Sequence, residues 1–321
     1  MTPAPEQLER FRCELDALVS AKERVGLAVS GGPDSMALLL LSAAARPGSI
    51  EAATVDHALR PESRSEAETV AAYCKRLNVP HSILTAEWAE KPRTAIQEQA
   101  RAMRYRLLGQ WAAERGLGAL LVAHHADDQA ETLLMRLSRG AGVSGLAGMR
   151  PVVRGMNGVP IVRPLLGWRH SELEAICAAA EVEPIQDPSN DDEQFERVRT
   201  RRALAEADWL DPAAVAASAA HLAQADGALR WATTIEWDRG VTQTPGEIIY
   251  TPSDAPREIR RRIARRAILA LAKEGGGAEP RGRELDQLLQ ALAVGRSATL
   301  RGVLCVGGRQ WRFTPAPPRK R

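Results

Sequence analysis

The chain has 321 residues, of which 45% are hydrophobic and 26% charged. That is enough apolar sequence for a sizeable core, and the length predicts two domains of ordinary size. No apolar run approaches the ~18–20 residues of a membrane span, and the opening MTPAPEQLERFRCELDA lacks the basic-then-apolar order of a signal peptide. The expectation is a cytoplasmic protein with no membrane partner. Cys13, Cys74, Cys177 and Cys305 are far apart and form no CxxC pair, which argues against a sequence-local zinc knuckle and reads as free thiols.

A net charge of +3 conceals an asymmetry. Residues 253–321 hold 16 Lys and Arg against 6 Asp and Glu, or +10, while residues 1–252 carry −7. A basic C-terminal part on an acidic body reads as a surface for an anionic macromolecule, nucleic acid first, or else as a solvated face.

In chain order, residues 25–29 predict a short buried strand, followed at once by SGGPDS at 30–35 and an apolar helix over 36–41. Residues 50–55 predict a second strand, 62–77 an amphipathic helix and 80–84 a third strand. A long charged helix follows over 96–115, then a fourth strand over 119–123 and a helix over 127–137. Short apolar strands alternating with helices predict an α/β fold with a parallel sheet covered on both faces. Ligands of such sheets lie beyond the carboxyl ends of the strands. Three polar clusters fall on that rim: 30–35, Asp56 with His57, and 124–131. Further on, 140–158 reads as a Gly-rich loop, 170–180 as the helix ending the α/β body, and DPSN at 187–190 as a turn. An Ala-rich helix over 212–238 leads to helices over 257–273 and 283–292, then to short strands over 297–313 with a hairpin at Gly307-Gly308. The resulting division is an α/β domain over 1–208, a helical linker over 209–240, and a smaller, mainly helical basic domain over 241–321.

The hexapeptide between the first strand and its helix has the chemistry of a phosphate cradle. Gly31 and Gly32 let backbone amides approach an anion, Ser30 and Ser35 add hydroxyls, and Pro33 suits a first helical turn. The helix N-terminus points its free N–H groups at the same place. Asp34 repels phosphate and is the candidate Mg²⁺ ligand. No GxxxxGK[ST] occurs, and the GxGxxG at Gly140, Gly142 and Gly145 follows a helix and opens no βα unit, so a dinucleotide loop is rejected on context.

SGGPDS resembles the signature of the PP-loop ATP pyrophosphatase superfamily, which splits ATP between its α and β phosphates and adenylates a substrate oxygen. VDHALR at 55–60, ARAMRYRLL at 100–108, AHHADDQAET at 123–132, RGAGVSGLAGM at 139–149, RPLL at 163–166 and DPSN resemble, in this order, the bacterial tRNA(Ile)-lysidine synthetase family over about residues 25–205. The resemblance implies the use of ATP, with Mg²⁺, to join free L-lysine to C2 of the wobble cytidine of tRNA(Ile) bearing a CAU anticodon. An adenylated cytidine is the intermediate, and pyrophosphate and AMP are released. It leaves the oligomeric state open, a homodimer included.

Within that frame Ser30, Gly31, Gly32, Pro33, Asp34 and Ser35 are expected to hold the triphosphate, with Asp56 and His57 at the nucleoside end. His57 reads equally as a structural histidine. Arg101, Arg104 and Tyr105 share a helix face, where the arginines suit phosphate or the lysine carboxylate. His124, Asp128 and Glu131 fall at i, i+4 and i+7. The family assigns this stretch to lysine recognition, with Asp128 and Glu131 clasping the ammonium and His124 in support. A metal site of His124 with a carboxylate is the rival reading, and Asp127 is expected to point elsewhere, as a cap. Arg139 and the glycines over 140–148 are expected to form a flap. Arg197, Arg199, Arg201 and Arg202 are candidates for RNA or phosphate contact, although Val198 stands where relatives often carry Asn. Arg257, Arg260, Arg261, Arg262, Arg265 and Arg266 crowd one helix and suit an RNA backbone, with Trp311 and Phe313 as the nearby aromatic faces. The alternative functions are a PP-loop tRNA thiolase, a small-molecule amidating ligase, and a non-catalytic nucleotide- or RNA-binding protein.

Overall fold

The computed structural model describes residues 3–59, 62–88, 96–185, 194, 196–272 and 279–317. The DPSN turn at 187–190 lies outside them. Contacts divide the chain into one unit of Met1–Arg139 with Ala147–Ala220, and a second of Gly140–Leu146 with His221–Arg321.

The first unit opens with α1 (Pro5–Asp16), which the sequence patterning left unassigned, and proceeds through β1 (Val25–Ala28), α2 (Pro33–Ala45), β2 (Ile50–Asp56), α3 (Ser63–Arg76) and β3 (His81–Thr85). It continues with α4 (Ile96–Glu114), β4 (Ala119–Leu121) and α5 (Ala126–Leu137); the short α6 (Val143–Leu146) then belongs to the second unit. Next come β5 (Val152–Arg154), β6 (Pro160–Val162), α7 (His170–Ala179) and α8 (Glu196–Glu206). The six strands run in the order β3-β2-β1-β4-β6-β5. All neighbours are parallel except the edge pair β5–β6.

Period-two burial explains why both faces are covered. Val25, Leu27, Ile50, Ala52, Ala119 and Leu121 pack into one core with the leucines of α2, with Trp168 and with Ile176 of α7. Ala53, Leu120 and Val122 face the other way, onto Leu108, Trp111 and Ala112 of α4. A strand whose alternate residues serve two hydrophobic layers reads as a continuous apolar run. The strand order reverses between β1 and β4, so the loops after these two strands flank the switch point where ligands of open α/β sheets bind.

Helix α9 (Pro212–Gly240) runs on as one element across the division at residues 220 and 221. That division falls within the segment 209–240 expected as a helical linker. The second unit adds a sheet to the helices that the sequence predicted there. It holds β7 (Val241–Thr244), β8 (Glu247–Tyr250), α10 (Arg257–Leu271), α11 (Gly282–Ala293), β9 (Ser297–Leu300), β10 (Val303–Val306) and β11 (Trp311–Pro315). The strands form a five-stranded sheet in the order β7-β8-β11-β10-β9, and every pairing is antiparallel. Ile263, Ala264, Ala267 and Ile268 turn one face of α10 toward Tyr250, Trp311, Phe313 and Leu292. Trp311 and Phe313 are therefore core residues (3% and 0% exposed), not stacking platforms; the large exposed aromatic of this unit is Trp231.

Gly307 lies where β10 passes α11. A Cβ there would sit 2.3 Å from the Leu292 carbonyl oxygen and 2.5 Å from its Cα. Gly307→Ala forces backbone apart, and overpacking of this kind costs about 1–3 kcal/mol. Calorimetry should show the second unit melting earlier with the first unit's transition unmoved; an unchanged profile would contradict this packing. No helix among the described residues is long and apolar enough to cross a membrane.

Candidate active site

The turn after β1 is shaped by its own side chains. Gly31 has φ of +93°, and a Cβ on it would lie 2.4 Å from Ile185 Cδ1, so both the turn and the contact demand glycine. Gly32 N-caps α2 and Pro33 begins it. Ser35 Oγ accepts hydrogen bonds from Ser30 N and Gly31 N, both at 3.1 Å, and donates to the Gly32 carbonyl at 3.0 Å. Helix geometry leaves the amides of the first turn without partners inside α2. With the helix dipole they suit an anion such as a phosphate.

Asp34 is clasped by histidines. Its Oδ1 lies 2.7 Å from His170 Nδ1, and its Oδ2 lies 3.5 Å from His125 Nε2. Burial alone would raise its pKa, but the contacts from His125 and His170 outweigh that and hold the carboxyl below the usual range. His125 is the N-cap of α5, directly after β4, and His170 opens α7. Burial would lower the His125 pKa, yet Asp127 and Asp34 together raise it well above the ordinary value. Neither His125 nor His170 stood among the residues the sequence singled out. His125 is the neighbour of a candidate in AHHADD, and His170 is a single histidine at a helix start, a position that carries no signal of its own.

Asp127 is a cap, as expected, but of another helix. Its Oδ2 accepts from His170 N at 2.8 Å at the start of α7, and it pairs with Arg169 at 3.2 Å. The cap lies 43 residues along the chain, out of reach of any local pattern.

Asp128 and Glu131 share a face of α5, buried to 8% and 2% exposure, and both are already engaged. Arg197 of α8 spans them, with Nη2 2.5 Å from Asp128 Oδ1 and Nε 2.6 Å from Glu131 Oε2. Arg201 Nε donates to Glu131 Oε1 at 2.7 Å. Asp128 Oδ2 reaches back to the His125 amide at 3.1 Å. Beside this cluster a cleft of about 450 Å³ is lined by Asp127, Glu131, Arg169, Arg201, Asp211 and Pro212. That is within the volume range of small-molecule sites.

His124 is half-buried and precedes α5, so it does not share that helix's face with Asp128 and Glu131. Its Nδ1 accepts from Arg163 Nε at 3.1 Å, so the ring proton sits on Nε2. Burial pushes its pKa down, which keeps the ring neutral. Arg101 stacks on Tyr105, with Cζ 5.0 Å from the ring centroid. Arg104 donates to His57 Nε2 at 3.2 Å. Asp56 Oδ1 accepts from Ala58 N at 2.9 Å and from Ser63 Oγ at 2.7 Å, closing the turn after β2. Arg139 pairs with Glu196, and Arg199 donates to the Gln194 carbonyl at 3.0 Å. Ser144 of the Gly-rich segment and Arg262 of α10 both hold the fully buried Asp226 of α9.

The arginines of α10 are largely satisfied within their own unit. Arg257, Arg261, Arg262 and Arg265 form ion pairs with Asp286, Glu258, Asp226 and Glu279, and Arg266 lies 4.0 Å over the Trp237 ring.

A phosphate cradle at the switch point of a mostly parallel sheet defines a PP-loop nucleotide-binding domain, and a family model described as a PP-loop domain matches residues 6–208. The chain is 46% identical over 312 residues to the tRNA(Ile)-lysidine synthase of Novosphingobium aromaticivorans, covering 96% of this chain and 93% of that protein. With the tRNA(Ile)-lysidine synthase of Zymomonas mobilis it is 42% identical over 302 residues, 93% and 90% of the two chains. The fold is also like that of the U34-tRNA thiolase NcsA from Methanococcus maripaludis, with a TM-score of 0.56 at 15% identity over 69% of this chain and 80% of that one. The chain belongs to the tRNA(Ile)-lysidine synthase family.

Proposed function

We propose that the protein uses ATP to join free L-lysine to C2 of the wobble cytidine in tRNA(Ile) with a CAU anticodon, in the cytoplasm. The observation that carries this reading is the juxtaposition, in one unit, of the Ser30–Ser35 phosphate cradle with a buried carboxylate pair bordered by a cleft of metabolite size. Cytidine O2 attacks the α-phosphorus and pyrophosphate leaves. The lysine ε-amine then attacks C2, loses a proton, and AMP departs.

The first step is governed by positioning and charge neutralisation. The loop amides suit the departing diphosphate, and Asp34 offers a carboxylate of the kind through which phosphate-bound Mg²⁺ is held to a protein. The ion would neutralise charge on the leaving group. His124, neutral with its proton on Nε2, is a hydrogen-bond donor and not a base at Nδ1. For the second step a lysine ammonium has to take over from Arg197 on Asp128 and Glu131, because that guanidinium now bridges both carboxylates. The cleft beside them offers Arg169 and Arg201 to a carboxylate and Asp211 to an α-ammonium.

The thiolase alternative is disfavoured by the cysteines. Cys74, Cys177 and Cys305 are buried, and burial pushes their pKa values up to about 12, 11 and 12, the reverse of what a sulfur-carrying thiolate needs.

Incubation with Mg·ATP, labelled lysine and unmodified tRNA(Ile) tests the reading. Lysine-dependent label in the RNA with release of AMP is expected; sulfur incorporation or an unlabelled RNA overturns it. The affinity for tRNA should also fall at least about 10-fold between about 50 and 200 mM salt. That is shallower than the ~10³–10⁵ of a protein with 6–10 free phosphate contacts, because most α10 arginines already have partners. A flat dependence would remove the basic unit from the RNA interface.

A further inference from the structure

Three side chains from three separate elements converge at the start of α2. Asp34, His125 and His170 each offer one donor atom, and these atoms all lie within 4.8 Å of one another. The two imidazoles stack with centroids 5.3 Å apart at an interplanar angle of 28°. We propose that Asp34, His125 and His170 together bind a divalent transition-metal ion of the zinc and cobalt class in the nucleotide-free protein.

The surroundings have the arrangement a metal-binding imidazole needs on its far side. A ligating histidine generally turns its other ring nitrogen toward a carboxylate, which fixes the ring and raises its basicity. Both histidines have a carboxylate oxygen at ion-pair distance from that nitrogen, although His125 Nδ1 makes no hydrogen bond. His125 aims Nε2 at Asp34 and keeps Nδ1 3.4 Å from Asp127 Oδ2. His170 aims Nδ1 at Asp34 and keeps Nε2 3.3 Å from Glu174 Oε1. Asp127 is itself fixed by Arg169, and Asp128 Oδ2 adds a further carboxylate oxygen 3.6 Å from His125 Nε2. A lone structural ion pair would need only one of these contacts.

Donor chemistry selects the ion. Two imidazoles and one carboxylate are a set that zinc takes in open sites, leaving a fourth position for water or a ligand oxygen. Imidazole favours zinc, cobalt, nickel and copper, whereas Mg²⁺ wants oxygen donors. A metal ion takes imidazole in its neutral form, so binding at this site is pH-dependent. His125 is 4% exposed at the head of α5, and His170 and Asp34 lie in the first turns of α7 and α2, so the ligands stand on rigid elements. The inference stands on these side chains alone and does not depend on lysine ligation.

The test uses the tag-free full chain, stripped of metal and nucleotide at one buffered pH. Titration with Co²⁺ should give one equivalent of intense visible ligand-field bands, and Zn²⁺ followed by calorimetry should show one site. Millimolar Mg²⁺ should leave the bands in place. His170→Ala and His125→Ala should each weaken binding by about 100-fold or more. Glu174→Gln, a change at a half-exposed outer position, should weaken it by about 10-fold while the protein keeps its melting temperature. Equal affinity in His170→Ala and the parent, loss of the bands with Mg²⁺, or a thiolate-to-cobalt charge-transfer band pointing to the exposed Cys13 would each overturn the assignment.

Discussion

Replacing Glu131 with glutamine is expected to loosen α8 and to stop lysine transfer. Both Glu131 oxygens now accept from arginines of that helix, and the residue is 2% exposed. A glutamine keeps one acceptor, loses the charge, and turns an NH₂ group toward a guanidinium. Hydrogen bonds to charged groups contribute about 1.5–3 kcal/mol each. Arg197 and Arg201 retain 38% and 50% of their side-chain exposure, so water offsets part of the loss. A net weakening of about 1–3 kcal/mol corresponds to about 5- to 150-fold faster amide exchange through α8. Hydrogen-exchange mass spectrometry reads this directly. The same variant should lose about 30-fold or more of its lysine-dependent RNA product, since truncating one partner of a buried charge pair costs about 2–5 kcal/mol. Its tRNA-dependent release of pyrophosphate should persist. Loss of both activities together would mean that Glu131 serves the whole site and not the lysine step. In the parent protein, saturating lysine should itself raise exchange in α8 if the ammonium displaces Arg197.

What the sequence made legible follows from the range of the interactions involved. The loop at 30–35, the period-two strands β1, β2 and β4, and the helices from α2 to α5 are fixed by local rules, and their boundaries agree with the pattern to within a few residues. Strands β5 and β6 escaped because three residues each, separated by Gly155 and Gly158, give no period to read. The stretch β7–β8 escaped for a related reason: only Ile248 and Tyr250 are fully buried there, and β7 is nearly all polar and exposed.

The candidate site divides in the same way. Spacing correctly put Asp128 and Glu131 on one face of α5, and composition flagged the arginines after residue 196. That these two groups pair with each other, across 66 to 70 residues, is a tertiary fact with no local trace. The same holds for His170, which is 136 residues from Asp34 yet within 2.7 Å of it. Charge counting overstated the basic helix for an analogous reason. The arginines of α10 were legible as positive charge, but Asp226 of α9, Asp286 of α11 and Glu279 just before α11, which neutralise several of them, lie outside that helix.

Ser35→Ala should be the most damaging single-atom change in the phosphate loop. Ser35 is 6% exposed, and its hydroxyl oxygen gathers the amides of Ser30 and Gly31 while its proton goes to the Gly32 carbonyl. Alanine strands two amide donors in a tight turn, and an unsatisfied buried donor costs about 1–3 kcal/mol. For a unit of this size that lowers the melting temperature by about 2–4 °C per kcal/mol. The larger consequence is geometric. Amides aimed at developing charge lose about 10²–10³ in rate when one donor is removed or misaimed, so tRNA-dependent pyrophosphate release should drop about 100-fold. Ser30→Ala supplies the internal comparison. The Ser30 hydroxyl is exposed and, among the described residues, hydrogen-bonds Ser35 Oγ alone, at 3.2 Å, so its removal leaves both amides on Ser35. It should cost less than about 10-fold, since a neutral hydrogen bond contributes about 0.5–1.5 kcal/mol. Equal damage from the two substitutions would mean that the hydroxyls meet phosphate directly and that Ser35 does not hold the loop in shape.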